Sequence, residues 1–225
     1  MESLAIFTSS RAERYGVFFP RWWQAISELE RQPDQIVIAY HESNLAKVPE
    51  SVPKEYASRV KLVVSDSEDG LIYGNLAVEA ADTDWVAFCG LDDQVLPNAY
   101  DELELCTDAE ILIANLKLSD GSNSFGSWDT QRMKHQNPMA FLSPFRKSLW
   151  ERVGGLPRIY WVDWGFWMKC AMAGATTYQA KNFQALFDLG ADHETESGLS
   201  LSSQKRTDAD KELMAFAKEI GFLDA

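Results

Sequence analysis

The sequence predicts an α/β fold in which helices flank a mostly parallel, Rossmann-like central sheet. Short apolar runs alternate with helical patterns or polar connections along the first 92 residues, a rhythm typical of parallel sheets. One run, residues 86–91, is almost wholly apolar, which indicates a strand buried on both faces. Small polar residues follow several of these runs, as expected where an open α/β sheet binds a ligand.

Four strands and two helices are predicted in the first half of the chain. The strands cover residues 4–7, 35–40, 60–64 and 86–91. The first helix, within residues 15–29, has apolar residues at every third or fourth position, which is typical of a helix that packs on a core. A short helix is expected around residues 75–81, and the proline-containing stretch 44–59 is expected to be a surface connection.

The second half continues with elements of both kinds. They are a helix after Pro97, strands at residues 109–118 and 176–187, and helices at 145–153, 164–173 and 207–220. Asp163 directly precedes one of these helices, where Asp is a common N-cap. Residues 119–136 are rich in Ser, Gly, Asn and Asp, and we expect them to form a mobile loop.

Length and composition indicate one packed domain spanning residues 1–225. A chain of 225 residues can bury a substantial core, and its hydrophobic fraction of 46% is typical of globular proteins. The net charge of −13 disfavours simple electrostatic binding to nucleic acid or to an anionic membrane. An acidic protein that binds anionic nucleotides would need a metal ion or buried cations to attract them.

The cysteines and the hydropathy pattern indicate a soluble, cytoplasmic protein. Cys89, Cys106 and Cys170 lie far apart in apolar surroundings, as expected of reduced core residues. No apolar run is long enough to span a membrane, and the N-terminus lacks the basic segment of a signal peptide. We therefore expect no transmembrane segment.

Two carboxylates follow the buried run directly. Asp92 and Asp93 stand at its C-terminal end, and Pro97 opens the next element. Such carboxylates are hard oxygen ligands, suited to Mg²⁺ or Mn²⁺ and, through the metal, to a phosphorylated substrate. The alternative is an acidic turn in which Asp only caps the backbone. The residues alone leave both interpretations open.

Several passages in both halves resemble those of one enzyme family. The first half contains Ile6-Phe-Thr-Ser-Ser10, Ile36-Val-Ile-Ala-Tyr-His-Glu-Ser43, Gly74-Asn75-Leu76-Ala77 and Gly90-Leu91-Asp92-Asp93. The second half contains Phe145-Arg146, Val153-Gly154-Gly155-Leu156, Val162-Asp163-Trp164-Gly-Phe-Trp167-Met-Lys169, and His193 followed by Ser197 and Ser200. In content and order these passages resemble the GT-A glycosyltransferases, specifically the inverting family 2. The resemblance covers most of residues 4–200.

The resemblance implies an enzyme that moves a sugar from a nucleoside-diphosphate sugar to an acceptor hydroxyl, with inversion and with help from a metal. Residues 1–97 would bind the nucleotide sugar, and residues 98–200 would hold the acceptor and the catalytic group. Residues 201–225 would form a C-terminal helix. The acceptor would be a glycan, a lipid-linked sugar or a small molecule.

The same resemblance implies a role for each candidate residue. Asp163 would be the catalytic base, and Trp161 and Trp164 would contact the acceptor. Asp92, Asp93 and His193 would hold Mn²⁺ or Mg²⁺. The donor-binding candidates are Thr8, Ser10, Arg11, Tyr40, Glu42, Asn75 and Asp92. Each has a structural alternative, such as a helix cap for Asp163, a solvated surface position for His193 or Arg11, and a core position for a tryptophan.

The sequence also departs from the family pattern. Gly90 stands where many members have the first Asp of the metal signature, and Tyr40-His41 replaces an Asp pair that reads the nucleotide base. Val162 replaces a Glu, and Lys169 replaces an Arg. A nucleotidyltransferase and an inactive GT-A-like binding or assembly protein are therefore the alternative functions. The first of these would need a glycine-rich basic loop, and residues 8–16 contain only two arginines and one glycine.

Overall fold

Two sheets form the centre of the described protein, one of seven strands and one of four. The computed structural model describes residues 2–10, 15–91, 93–118, 120–187 and 203–223. The strands are β1 (Leu4–Ser10), β2 (Gln35–His41), β3 (Val60–Ser65), β4 (Trp85–Phe88), β5 (Gln94–Val95), β6 (Ile111–Ile113), β7 (Asn115–Leu118), β8 (Asn123–Phe125), β9 (Phe145–Arg146), β10 (Thr177–Gln179) and β11 (Ala185–Phe187). The helices are α1 (Tyr15–Ser27), α2 (Lys47–Ser51), α3 (Tyr73–Ala80), α4 (Lys147–Arg152), α5 (Val162–Met172) and α6 (Ser203–Glu219).

The large sheet has the strand order β3-β2-β1-β4-β9-β6-β10. Its pairs β1–β2, β2–β3, β1–β4 and β6–β10 are parallel, whereas β9 runs antiparallel to both β4 and β6. This arrangement confirms the predicted α/β fold with a mostly parallel central sheet.

Both faces of the large sheet are buried at its central strands. Along β1, Leu4 and Ile6 belong to one hydrophobic cluster, which includes the apolar face of α1. The alternate residues Ala5 and Phe7 belong to a second cluster with α3 and α5. Because successive side chains of a strand point to opposite faces, burial on both sides requires the continuous apolar runs seen in the sequence.

The smaller sheet has the order β5-β11-β7-β8 and takes its strands from both halves of the chain. The two long strands predicted at residues 109–118 and 176–187 are each divided between the sheets. The break between β6 and β7 lies at Ala114, whose N–H donates to Ser143 Oγ at 3.1 Å instead of to a neighbouring strand. At the next residue, the buried Asn115 N–H donates to Gln184 Oε1 at 2.6 Å. Polar side chains therefore satisfy the backbone where the chain crosses from one sheet to the other.

Three local predictions need correction. The described part of the predicted loop, residues 120–136, contains β8 and a 3-10 turn at Arg132–Lys134, in which Met133 is buried, and its mobility stays a prediction. The helix expected after Pro97 is a short 3-10 segment, Asp101–Leu105. Helix α5 begins at Val162 with Trp161 at its N-cap, so Asp163 lies within the first turn and does not cap the helix.

The structure also bears on the predictions about membrane-spanning segments and about the cysteines. None of the helices in the described ranges combines the length and the apolar composition needed to cross a membrane. All three cysteines are buried, and none forms a disulfide.

Candidate active site

The order of the large sheet reverses between β1 and β4, and open α/β sheets bind ligands at the C-terminal strand ends beside such a reversal. A tight turn follows β4 at this edge. The Gly90 N–H donates to Asp93 Oδ2 at 2.7 Å, and the Asp93 N–H donates to the Gly90 carbonyl oxygen at 3.0 Å. Asp93 is half-buried there, and Asp92 lies outside the described residues.

Two of the donor-binding candidates are buried in the core. Thr8 pairs with Ile38 within the sheet and is 0% exposed, and its hydroxyl has no hydrogen-bond partner in the described part of the chain. Tyr40 is 1% exposed, and burial raises the pKa of its phenol. The ring of Tyr40 therefore offers no exposed face on which a nucleotide base could stack.

The Asn75 side chain forms three hydrogen bonds to a distant segment of the chain. Its Nδ2 donates to the Leu156 carbonyl oxygen at 2.9 Å, and its Oδ1 accepts from the Leu156 N–H at 2.7 Å and from Trp150 Nε1 at 3.0 Å. A Cβ at Gly155, where φ is +77°, would lie 2.8 Å from the same Oδ1. Asn75 therefore fixes the Gly-Gly turn against α3, and its role in donor binding stays a prediction.

The remaining donor and metal candidates lie at strand ends or outside the described ranges. Glu42 is exposed and opens the 3-10 turn Glu42–Asn44 beyond β2. Ser10 pairs through its backbone with Tyr40 at the end of β1. Arg11 and His193 lie outside the described residues, so their roles stay predictions.

Asp163 has a defined environment in the first turn of α5. Asn137 Nδ2 donates to Asp163 Oδ2 at 2.7 Å, and Asn137 Oδ1 accepts from the Met139 N–H at 3.1 Å. The second bond fixes which end of the amide faces the carboxylate. Burial raises the pKa of Asp163 above the ordinary Asp value, and the Trp164 N–H and the Asn137 amide oppose that rise. The result is an oriented carboxyl group that is more basic than a solvated Asp.

A pocket of about 570 Å³ lies beside Asp163, and Trp161 and Trp164 line it. Trp161 Nε1 donates to Asp210 Oδ1 at 2.9 Å, and Trp164 Nε1 donates to the Met133 carbonyl oxygen at 2.7 Å. Both indoles are thereby held in one orientation next to the carboxylate. Such fixed aromatic faces suit an apolar ring or a sugar ring.

Helix α6 supplies one wall of this pocket through Arg206, Asp210, Leu213 and Met214. The helix is attached to the segment that precedes α5, because Glu212 Oε2 accepts from the backbone N–H of that segment at residue 160, at 2.8 Å. Leu213 also belongs to the small hydrophobic cluster shared with α5. The pocket is therefore built by elements that are distant in sequence.

The segment that follows Asn137 connects the pocket to the main sheet. Phe141 contacts Phe88 at the end of β4, with ring centroids 4.5 Å apart, and Phe7 of β1 at 6.5 Å. Four residue steps of extended chain span at most about 14 Å. Asn137 therefore lies within about 14 Å of Phe141, which packs against the end of β4.

The metal prediction depends on residues that are mostly outside the described ranges. Within those ranges, no group of three or more His, Cys, Asp or Glu side chains is arranged to hold a metal ion. Asp93 supplies the hard oxygen chemistry that Mg²⁺ and Mn²⁺ prefer, but one of its oxygens also accepts from Gly90. The donor set thus fits a divalent cation only together with Asp92 and His193.

Some pocket residues were missed in the sequence. Asn137 carried one weak signal, since Asn-Pro at 137–138 favours a turn. Arg206 and Asp210 had none, because the amphipathic pattern of α6 marks only the residues that face the core. The structure brings Asp163, Trp161 and Trp164 together around one pocket, and of the described candidates Thr8, Tyr40, Glu42, Asn75 and Asp93 do not line it.

Sequence comparisons give no relative for this chain: no protein-family model and no curated protein matches it. Solved structures do resemble it. The mannosyltransferase PcManGT from Pyrobaculum calidifontis, in complex with GDP-Man and Mn²⁺, superposes with a TM-score of 0.70 at 14% identity, covering 97% of this chain and 64% of that one.

A second similar structure is S. aureus TarS 1–349. Its complex with UDP-GlcNAc gives a TM-score of 0.67 at 12% identity, covering 95% of this chain and 66% of TarS 1–349. This chain thus spans about two thirds of PcManGT and of TarS 1–349, and 42% of a longer TarS structure. At such identities the likeness concerns the architecture alone. The chain has the GT-A fold.

Proposed function

We propose that this protein is an inverting glycosyltransferase that transfers a sugar from a nucleoside-diphosphate sugar to an acceptor hydroxyl. One observation carries the proposal: on a GT-A fold, a half-buried carboxylate, Asp163, is oriented by Asn137 at the wall of an aromatic pocket. The solved proteins of this fold include a complex with GDP-Man and one with UDP-GlcNAc, which supports a nucleotide sugar as the donor.

Asp163 is the proposed catalytic base. The acceptor oxygen forms a bond to the anomeric carbon while the bond from that carbon to the diphosphate breaks, and Asp163 takes the hydroxyl proton. A carboxylate whose pKa is raised by burial is a stronger base than a solvated one. The hydrogen bonds from Asn137 and from the Trp164 N–H keep it ionised and aimed at one point.

The donor would lie at the C-terminal ends of β1, β2 and β4, with its diphosphate near Asp93. Asp92, Asp93 and His193 are the proposed ligands of Mn²⁺ or Mg²⁺, and the Mn²⁺ in the PcManGT complex supports this choice. A bound divalent cation would supply charge neutralisation for the departing diphosphate. Residues 1–97 would thus form the donor half and residues 98–200 the acceptor half, with α6 added to the acceptor side.

A cytoplasmic location remains part of the proposal. It is supported by three buried thiols that form no disulfide, as is usual in a reducing compartment.

A catalytically inactive GT-A-like protein is the second candidate, and the burial of Tyr40 favours it. Tyr40 is buried in the core, and Gly90 has no side chain. Two positions that usually contact the donor in the family therefore have no side chain that could do so. This candidate would bind a nucleotide sugar or a partner without turnover.

Nucleotide release separates the two candidates. The purified chain would be incubated with a panel of UDP- and GDP-sugars, with Mn²⁺ or with EDTA, and free nucleoside diphosphate and melting temperature would both be measured. A donor at about 100 times its dissociation constant stabilises the fold by ~2.7 kcal/mol. A transferase gives stabilisation and Mn²⁺-dependent release. Stabilisation without release supports the inactive protein, and the absence of both would reject nucleotide-sugar binding.

A further inference from the structure

Basic side chains gather at the Asp163 pocket of a protein that is acidic as a whole. The chain has 34 acidic and 21 basic residues, giving a net charge of −13. Lys134 and His135 nonetheless reach the pocket from the segment before Asn137, and Arg206 reaches it from α6. Lys134 is half-buried, whereas His135 and Arg206 are exposed.

Among the residues that the structure describes, the lysine and arginine of this group have no ion-pair or hydrogen-bond partner, in contrast to several arginines elsewhere. Several arginines are tied to carboxylates or to backbone carbonyl oxygens: Arg31, Arg59, Arg146, Arg152 and Arg158. Within the described ranges, the side chains of Lys134 and Arg206 form neither an ion pair nor a hydrogen bond. Asp210, one turn along α6 from Arg206, instead accepts from Trp161 Nε1.

The rest of the pocket is poorly suited to hold an anion. The indole N–H groups of Trp161 and Trp164 donate to groups of the protein, and the carboxylates of Asp163 and Asp210 repel negative charge. Lys134 and Arg206 offset that repulsion. A molecule with one ring, one hydroxyl and one anionic group could contact the indole rings, the Asp163 carboxylate and the two cations at the same time.

We propose that the acceptor of the transfer reaction is a sugar or polyol that carries a phosphate or carboxylate, bound by Lys134 and Arg206 beside Trp161 and Trp164. The inference rests on the proposed function, because it names the acceptor for the same pocket. The hydroxyl that reacts would face Asp163, and the anionic group would lie toward α6.

The diphosphate of the donor is the competing anion. The strand ends of β1, β2 and β4 bind ligands in open α/β sheets, yet none of the described residues of these strands lines the pocket. The cations come from α6 and from the segment before Asn137, on the side of the base. Their position thus favours an anion on the acceptor.

Binding of matched pairs of small molecules tests the proposal. The probes are glycerol and glycerol 3-phosphate, glucose and glucose 6-phosphate, and glucose and glucuronate, titrated into the full chain by calorimetry at low and high salt. At least one charged member should bind more tightly than its neutral partner, and high salt should weaken it. If no charged probe binds more tightly than its neutral partner, the proposal is wrong.

Substitutions then locate the site. Arg206→Ala and Lys134→Ala should each weaken the charged probe by about fivefold to tenfold, as expected for a partly exposed charge-assisted contact. Lys218→Ala is the matched control, because it removes an equal charge from an exposed position of α6 that does not line the pocket. Melting temperatures measured in parallel confirm that each variant folds.

The affinity of the same variants for UDP and GDP with Mn²⁺ distinguishes acceptor from donor. Unchanged nucleotide affinity is expected. Weaker nucleotide binding with an unaltered charged probe would assign the cations to the donor and overturn the proposal, as would a charged probe that no substitution affects. Failure of the proposed function shows separately, as a lack of nucleotide release with every donor.

Discussion

The part of the molecule built on β1–β4 and the part that follows it use their polar side chains differently. Strands β1, β2 and β3 are six or seven residues long, whereas those after β4 have two to four residues. In the first part, Thr8 and Tyr40 are enclosed by the core, and Asn75 links two segments. In the second part, Asn137 and Asp163 face a pocket.

The difference shows where a fold of this kind places its chemistry. Long parallel strands buried on both faces leave little room for side chains that must meet a substrate. Short strands leave more of the chain in turns, and turns carry functional groups on a rigid frame. Substitutions within the buried strands of the first part should therefore affect stability, and those around the pocket should affect turnover.

Asp163→Asn should give the largest effect. We expect kcat to fall by about 10²–10⁴-fold, because a neutral amide cannot accept the proton. Stability should be unchanged or slightly higher, since the amide still accepts from Asn137 and removes a half-buried charge. Rate and melting temperature are the measurements. Glu212→Gln is the control, because the amide oxygen can still accept from the N–H of residue 160 and turnover should stay normal. Near-normal turnover by Asp163→Asn would place the base elsewhere.

Asp93→Asn should remove the metal-dependent part of donor binding. The amide oxygen can still accept from the Gly90 N–H, so the turn after β4 is kept while the negative charge is lost. We expect the affinity for UDP or GDP in Mn²⁺ to fall by about tenfold or more, with binding in EDTA unaffected. Titration under both conditions is the measurement. Equal Mn²⁺ dependence in the variant and the natural chain would exclude Asp93 as a ligand.

Asn75→Ala should destabilise the protein and leave the donor affinity unchanged. The change leaves the Leu156 backbone groups and Trp150 Nε1 without their partner, which costs about 2–3 kcal/mol. In a domain of this size, that lowers the melting temperature by roughly 4–12 °C. Calorimetry gives the melting temperature, and a UDP or GDP titration gives the affinity. A stable variant with weak nucleotide binding would instead restore Asn75 to the donor site.

Asn137→Ala should have the smallest effect and should alter the pH profile. Asp163 works as a base only when ionised, so the rate falls as the pH drops through its pKa. Removing the amide donor raises that pKa further, and the acid limb of kcat should move to higher pH. Asn123→Ala, an exposed residue of β8, is the control. An unshifted acid limb with reduced kcat would limit Asn137 to a packing role.

Local hydrophobic patterns made the frame predictable from sequence. Continuous apolar runs mark β1 and β2, and apolar residues at every third or fourth position mark α1, so their positions follow from local pattern alone. The sequence also pointed to Asp163 and its neighbouring tryptophans. Those residues are adjacent in the chain, so one turn of helix brings them together.

Contacts between distant residues could not be predicted in this way. Asn75 bonds to Leu156, 81 positions away, and Asn137 bonds to Asp163, 26 positions away. Nothing in the local pattern distinguishes an Asn that holds a turn from one that binds a ligand, because the spacing of apolar residues does not reveal the partner of a polar side chain. The break at Ala114 was missed for the same reason, since it depends on Ser143 from another segment.

The two-residue strand β9 also has a consequence for the order of folding. It joins β4 to β6 in the middle of the large sheet, with Phe145 paired to both strands. Arg146 then bonds to Glu2, 144 positions away. Such long-range contacts form only after large loops have closed, which slows their formation. We expect β1–β4 to gain protection early in a pulse hydrogen-exchange experiment, with the amides of Ile111–Ile113 protected later. The pocket depends on elements beyond β9, so a refolding chain should become able to bind acceptor last.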